Sequence, residues 1–74
     1  MSGLTIDEGA VAISELMRLA DDFAARAQLQ EACRNRARPG TGMHHQHAHS
    51  ATLWRLAERE LRARIRELEL TSAP

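Results

Sequence analysis

The sequence contains few residues that cross-link chains or stack as rings. Among its 74 residues are one cysteine (Cys33), one phenylalanine, one tryptophan and no tyrosine. A single cysteine cannot form a disulfide within the chain, and chains without disulfides are typical of reducing compartments. We therefore expect a cytoplasmic protein. The shortage of aromatic rings predicts a core of aliphatic residues and alanine, which suits closely packed helices.

Lysine and long hydrophobic runs are also absent. All ten basic residues are arginine, and ten acidic residues balance them, so the formal net charge is zero. A neutral chain argues against general attraction to nucleic acid or to anionic lipid. No segment approaches the ~20 consecutive apolar residues of a membrane-spanning helix, and the first residues lack the basic and apolar regions of a signal peptide. We expect no membrane association.

Turn-forming residues are concentrated at one place, where Pro39, Gly40 and Gly42 stand together. The segments on both sides carry apolar residues at helical spacing, without a strand pattern. The sequence therefore predicts a single all-α domain over residues 1–74, folded as an antiparallel helical hairpin. We expect a long helix 1 over about 6–37, a turn and histidine-rich segment over 38–50, and a shorter helix 2 over about 51–70. An earlier start of helix 2 at Met43, with Thr41 as its N-cap, is the alternative. The order Thr-Ile-Asp-Glu at residues 5–8 has the form of a capping box, which suggests the start of helix 1.

Both predicted helices have apolar faces that one neighbouring helix cannot cover. On helix 2, Trp54, Leu61 and Leu68 recur every seven residues, as core positions of a coiled coil do. A chain this small seldom buries such faces alone. We therefore expect a homodimer that forms a four-helix bundle, or a small subunit on a larger protein. The predicted core and interface residues are Ile13, Leu16, Met17, Ala20, Phe23, Ala27, Trp54, Ala57, Leu61, Ile65 and Leu68.

Four histidines occur within six residues: His44, His45, His47 and His49. If this segment is helical, His45 and His49 lie one turn apart, a spacing that can hold one divalent metal ion. Neutral imidazole is a good ligand for zinc and other divalent transition metals. The same residues could instead form a solvated polar segment or a pH-responsive contact. We expect no cofactor, and a metal-binding helical bundle is the first alternative.

A row of arginines follows one side of helix 2: Arg55, Arg59, Arg62 and Arg66. Such a row could contact the phosphates of a nucleic acid or an acidic patch on a protein. Glutamates near the row would repel phosphate, and rings for base stacking are scarce. Nucleic-acid binding is therefore the second alternative, and an ordinary solvated helix side explains the row equally well.

The sequence contains no recognisable catalytic arrangement. It has no glycine-rich phosphate loop, no H-E-x-x-H and no C-x-x-C. Cys33 and the distant histidines do not form a nucleophile–base signature. We expect no enzyme activity. The favoured function is a small protein–protein interaction module, acting as adaptor, accessory subunit or inhibitor through an apolar helical face.

Overall fold

Two long helices of similar length make up the fold. The structure, a computed structural model, describes the backbone of residues 2–72 and the side chains of residues 9–71. Helix α1 spans Ser2–Arg36 and helix α2 spans Gly42–Ser72. The two helices pack side by side in a rod of 58 × 15 × 12 Å. The predicted all-α hairpin is confirmed, and no strand occurs in the part of the chain described.

Helix α1 begins earlier than the sequence predicted. Its first residue is Ser2 rather than residue 6, so the backbone is already helical at Thr5. A capping box starts a helix only where the preceding chain leaves the helical conformation, and here it does not. The side chains of Thr5 and Glu8 lie outside the described residues.

Helix α2 begins at Gly42 rather than at residue 51, next to the earlier of the two starts that the sequence left open. Thr41 caps the new start. Its Oγ1 accepts a hydrogen bond from the backbone N–H of His44 at 3.2 Å, and its carbonyl accepts from the N–H of His45 at 3.1 Å. A capped helix N-terminus needs no apolar pattern behind it. The histidine-rich segment is therefore helical, although its sequence shows no helical period.

The connection between the helices is a tight turn. The N–H of Thr41 bonds to the carbonyl of Arg38 at 3.2 Å, and the Thr41 hydroxyl donates to the same carbonyl at 2.6 Å. Gly40 has a φ of 84°, in the left-handed region that glycine adopts without the steric cost of a Cβ atom. This turn brings the start of α2 back beside the end of α1.

The interior of the hairpin is a seam of small residues. Ala20, Ala27, Ala51 and Ile65 are the buried apolar residues, and none of the larger described side chains is fully buried. Alanine at such positions lets two helices approach closely. The seam also has a heptad spacing, since Ala20 and Ala27 are seven residues apart, as are Ala51, Glu58 and Ile65.

The larger apolar residues flank this seam. Among the predicted core residues, those that are half-buried are Ile13, Leu16, Phe23, Trp54, Ala57, Leu61 and Leu68. Met17 is 48% exposed, and Ala51, which the sequence did not mark as core, is only 3% exposed. Neither described helix has an apolar stretch long enough to cross a membrane. The chain thus places much of its apolar surface beside its core rather than within it.

Candidate interaction faces

Contacts between the helices define two opposite sides of the hairpin. On one side, the rings of Phe23 and Trp54 lie 5.3 Å apart between centroids. On the other side, Arg55 of α2 binds Glu31 of α1. Since side chains advance by about 100° per residue around a helix, these two sets of contacts fall on opposite sides of the alanine seam. We call the first side the apolar face and the second the arginine face.

The apolar face contains half-buried rings and exposed aliphatic side chains. Helix α1 contributes Leu16, Leu19 and Phe23, and helix α2 contributes Met43, Leu53, Trp54, Ala57, Leu61 and Leu68. Leu19 is 42% exposed, Leu53 51% and Met43 64%. The guanidinium of Arg26 lies 5.1 Å from the centre of the Trp54 ring, a cation–π contact that leaves the neighbouring leucines uncovered.

An open groove lies at the turn end of the hairpin. It has a volume of about 480 Å³, and its lining includes Cys33, Ala37, Met43 and His47. The Arg36 guanidinium approaches the Cys33 sulfur to 3.6 Å. The groove is wide enough for an aliphatic side chain, but its borders are more polar than the middle of the apolar face.

Five charged residues form a continuous network on the arginine face. Arg55 donates two hydrogen bonds to Glu31, at 3.1 and 2.9 Å, and a third to Glu58 at 3.0 Å. Arg62 donates to Glu58 at 2.9 Å and to Asp21 at 3.1 Å. Because Glu31 and Asp21 belong to α1, the network links the two helices at two positions along the rod.

The network lowers the pKa of its two glutamates. Hydrogen bonds from Arg62 and Arg55 lower the pKa of Glu58 below its ordinary value of 4.5, and the hydrogen bonds from Arg55 lower the pKa of Glu31. The same pairing raises the pKa of Arg55 through Glu31 and Glu58. Glu31 and Glu58 are therefore ionised at neutral pH.

The structure divides the predicted arginine row into two kinds of residue. Arg55 and Arg62 are held by carboxylates, whereas Arg59 and Arg66 are exposed and have no carboxylate within ion-pair distance among the described residues. Glu58 and Arg62 are four residues apart, a spacing that favours such a pair on one helix. No sequence signal indicated that Glu31 and Asp21 of α1 would complete the network.

The four predicted metal ligands also separate into two pairs. Nδ1 of His44 lies 3.1 Å from the carbonyl oxygen of Arg34, and Nδ1 of His47 lies 2.7 Å from the Gln30 amide oxygen. His45 and His49 are exposed on the outer side of α2. Within residues 9–71, no three or more histidine, cysteine or acidic side chains come together as a metal site.

Other exposed apolar residues are scattered over the rod: Val11, Met17, Leu29, Leu56 and Leu70. Met17 lies beside the arginine face, on the opposite side of α1 from Leu19. Single exposed apolar side chains are common on protein surfaces. The apolar face differs from them because its residues from both helices are contiguous.

Comparisons of this chain with models of protein families, with curated proteins and with solved structures gave no match. Its function is therefore argued from the two faces.

Proposed function

We propose that the chain is a small non-catalytic interaction module, serving as an adaptor, accessory subunit or inhibitor. Its apolar face would be covered by another protein, either a second copy in a four-helix bundle or the surface of a larger protein. The binding energy would come from removing apolar helical surface from water.

The observation that supports this proposal most directly is that small residues fill the core while the largest apolar side chains lie on the apolar face. The core consists of three alanines and one isoleucine, whereas Phe23, Trp54 and Leu61 remain half-buried beside it. Burial of apolar surface contributes roughly 25 cal/mol per Å². A hairpin that leaves its largest apolar groups partly in water gains that free energy only when a partner covers them.

Polar groups at the edges of the apolar face suit an interface. Interfaces commonly surround an apolar centre with charged groups that fix orientation. Here Glu15 and Arg26 stand on the α1 edge and Arg64 stands on the α2 edge. They would set the register of the partner.

The arginine face weighs against nucleic-acid binding. Glu31, Glu58 and Asp21 lie among its arginines and neutralise Arg55 and Arg62. Of the four arginines in this row, Arg59 and Arg66 would remain available for phosphates. Affinity for nucleic acid grows with the number of phosphates neutralised, so two such arginines would contribute little.

A photo-crosslinking residue placed at Leu19 tests the proposal. Met17 provides a matched control, since it has a similar exposure of 48% against 42% but lies on the opposite side of α1. We expect adducts in cells from position 19 and not from position 17. Equal adducts from both positions, or none from position 19, would refute the proposal.

A further inference from the structure

We infer that the occupant of the apolar face is a second copy of this chain, related by a two-fold axis that runs perpendicular to the helices. This inference rests on the proposed function, because it identifies the partner of the same face. Each α1 then packs antiparallel to the α1 of the second copy, and each α2 to its α2.

The exposed area of the single chain matches what such a dimer needs. A compact protein of 8.3 kDa exposes about 4,600 Å² by the usual scaling of surface with mass. This chain exposes 5716 Å², an excess of roughly 1,100 Å² over that scaling. A standard protein–protein interface covers about 800 Å² on each partner. An interface of standard size with one second copy would therefore remove about 800 Å², which is most of this excess.

The heights of the apolar residues along the rod fit this axis. Leu19 lies about 6 Å farther from the turn than Phe23, and Leu61 about 10 Å farther than Trp54, at a rise of 1.5 Å per residue. The midpoint of each pair falls at the height of Ala57. A two-fold axis there places Trp54 against Leu61 of the second copy, and Leu19 against Phe23 of the second copy. The small side chain of Ala57 lets the two α2 helices approach at the axis.

Charges along the outer edge of α1 are complementary under the same rotation. Glu15, Arg18, Asp22 and Arg26 alternate in sign along this edge. Within the chain, Arg18 forms an ion pair with Glu15. The axis places Glu15 opposite Arg26 of the second copy, and Arg18 opposite Asp22 of the second copy, so that contacts between the copies would extend this pair. Opposite charges at an interface border favour one register over its alternatives.

Two measurements test this arrangement. Sedimentation equilibrium of the full chain should give twice the mass of 8.3 kDa. In a Cys33→Ser background, Ala57→Cys should form a disulfide-linked dimer under mild oxidation, because the axis brings the two positions within bonding distance. Ala25→Cys is the matched control, since this exposed alanine lies on the outer side of α1. The linked fraction should be at least about tenfold larger for Ala57→Cys, as disulfides require Cα atoms within ~7 Å.

Circular dichroism of both cysteine variants verifies that the helices are retained. Two results would overturn the dimer arrangement. A monomer at all concentrations overturns the dimer, and a Leu19 adduct with a different protein would then preserve the proposed function. A dimer in which Ala25→Cys links as readily as Ala57→Cys places the interface elsewhere and overturns the inference. Cys33 of the natural chain should stay unlinked, because the axis puts its two copies at opposite ends of the bundle.

Discussion

At the residue scale, neighbouring histidines differ in their contacts: His44 bonds to α1, whereas His45 faces solvent. The carbonyl of Arg34 belongs to the last turn of α1, where it also accepts a hydrogen bond from the backbone N–H of Ala37 at 3.1 Å. A carbonyl can only accept, so Nδ1 of His44 carries the proton and donates to it across 3.1 Å. His45, the next residue along α2, is exposed to solvent. The first histidine joins the two helices, and the second does not contact α1.

Replacing these two histidines separately should therefore give different results. His44→Ala should lower the free energy of unfolding by about 1 kcal/mol, the usual net contribution of a hydrogen bond of this kind. His45→Ala should leave it unchanged within ~0.5 kcal/mol, as surface substitutions do. Urea unfolding followed by helicity measures both. Equal losses, or a stabilisation of the natural chain by added zinc that His45→Ala abolishes, would favour the metal-binding alternative instead.

At the element scale, an ion pair network joins the helices where the seam would otherwise be apolar. Glu58 occupies the heptad position between Ala51 and Ile65, and its side chain is only 15% exposed. A carboxylate in such a place must be paired to be tolerated. Arg55 and Arg62 provide the pairing, and both also reach α1 through Glu31 and Asp21.

Removing the Glu58 carboxylate, which Arg55 and Arg62 share, should change both the thermal stability of the protein and the dependence of that stability on pH. The pKa of Glu58 is lowered in the fold by Arg62 and Arg55. Its charged form therefore stabilises the protein above the unfolded-state pKa, which is near 4.5, and this contribution is lost as the pH falls through the lower folded-state pKa. Glu58→Gln should reduce the Tm at pH 7 and weaken the fall of the Tm on acidification.

Glu60→Gln is the matched control for that change. Glu60 is exposed on the same helix, and no arginine lies within ion-pair distance of it in the described residues. Its substitution should leave the Tm at pH 7 and its pH profile as they are in the natural chain. Thermal unfolding between pH 3 and pH 7 separates the two variants, and an equal effect of both would contradict a structural role for the network.

The presence of two helices could be predicted from the sequence. The residues at which they begin, and the rotation of each helix about its own axis, could not. Apolar spacing and the Pro39–Gly42 break indicate two helices, because both are local properties of the chain. The start of α2 depends on a single cap at Thr41, and His44 and His47 gave no periodic signal behind it. The row Trp54, Leu61 and Leu68 was predicted as a core or interface position, and its residues are half-buried beside the seam. Which row lies at the centre depends on both helices together, and Ala51, Glu58 and Ile65 occupy it.

At the scale of the whole molecule, the rod is only 12 Å thick in its narrowest dimension. Each helix has one neighbour within the chain, so at most one side of each helix is covered. Chains of this size generally need a staple or an additional subunit to be stable. Cys33 cannot provide a disulfide within the chain, and the ion network on the arginine face is partly exposed and screened by water. The proposed association through the apolar face would be the remaining large source of stability.

If folding and association are coupled, the thermal stability must depend on protein concentration. For a dimer of 74-residue chains, the typical unfolding enthalpy per residue gives a rise in Tm of about 5 °C for each tenfold increase in concentration. Leu19→Glu, which places a charge on the apolar face, should abolish this dependence and lower the Tm. Met17→Glu, at a similarly exposed position on the opposite side, should keep it. Differential scanning calorimetry over a hundredfold concentration range distinguishes the two, and a natural chain whose Tm is independent of concentration would mean that the hairpin folds alone.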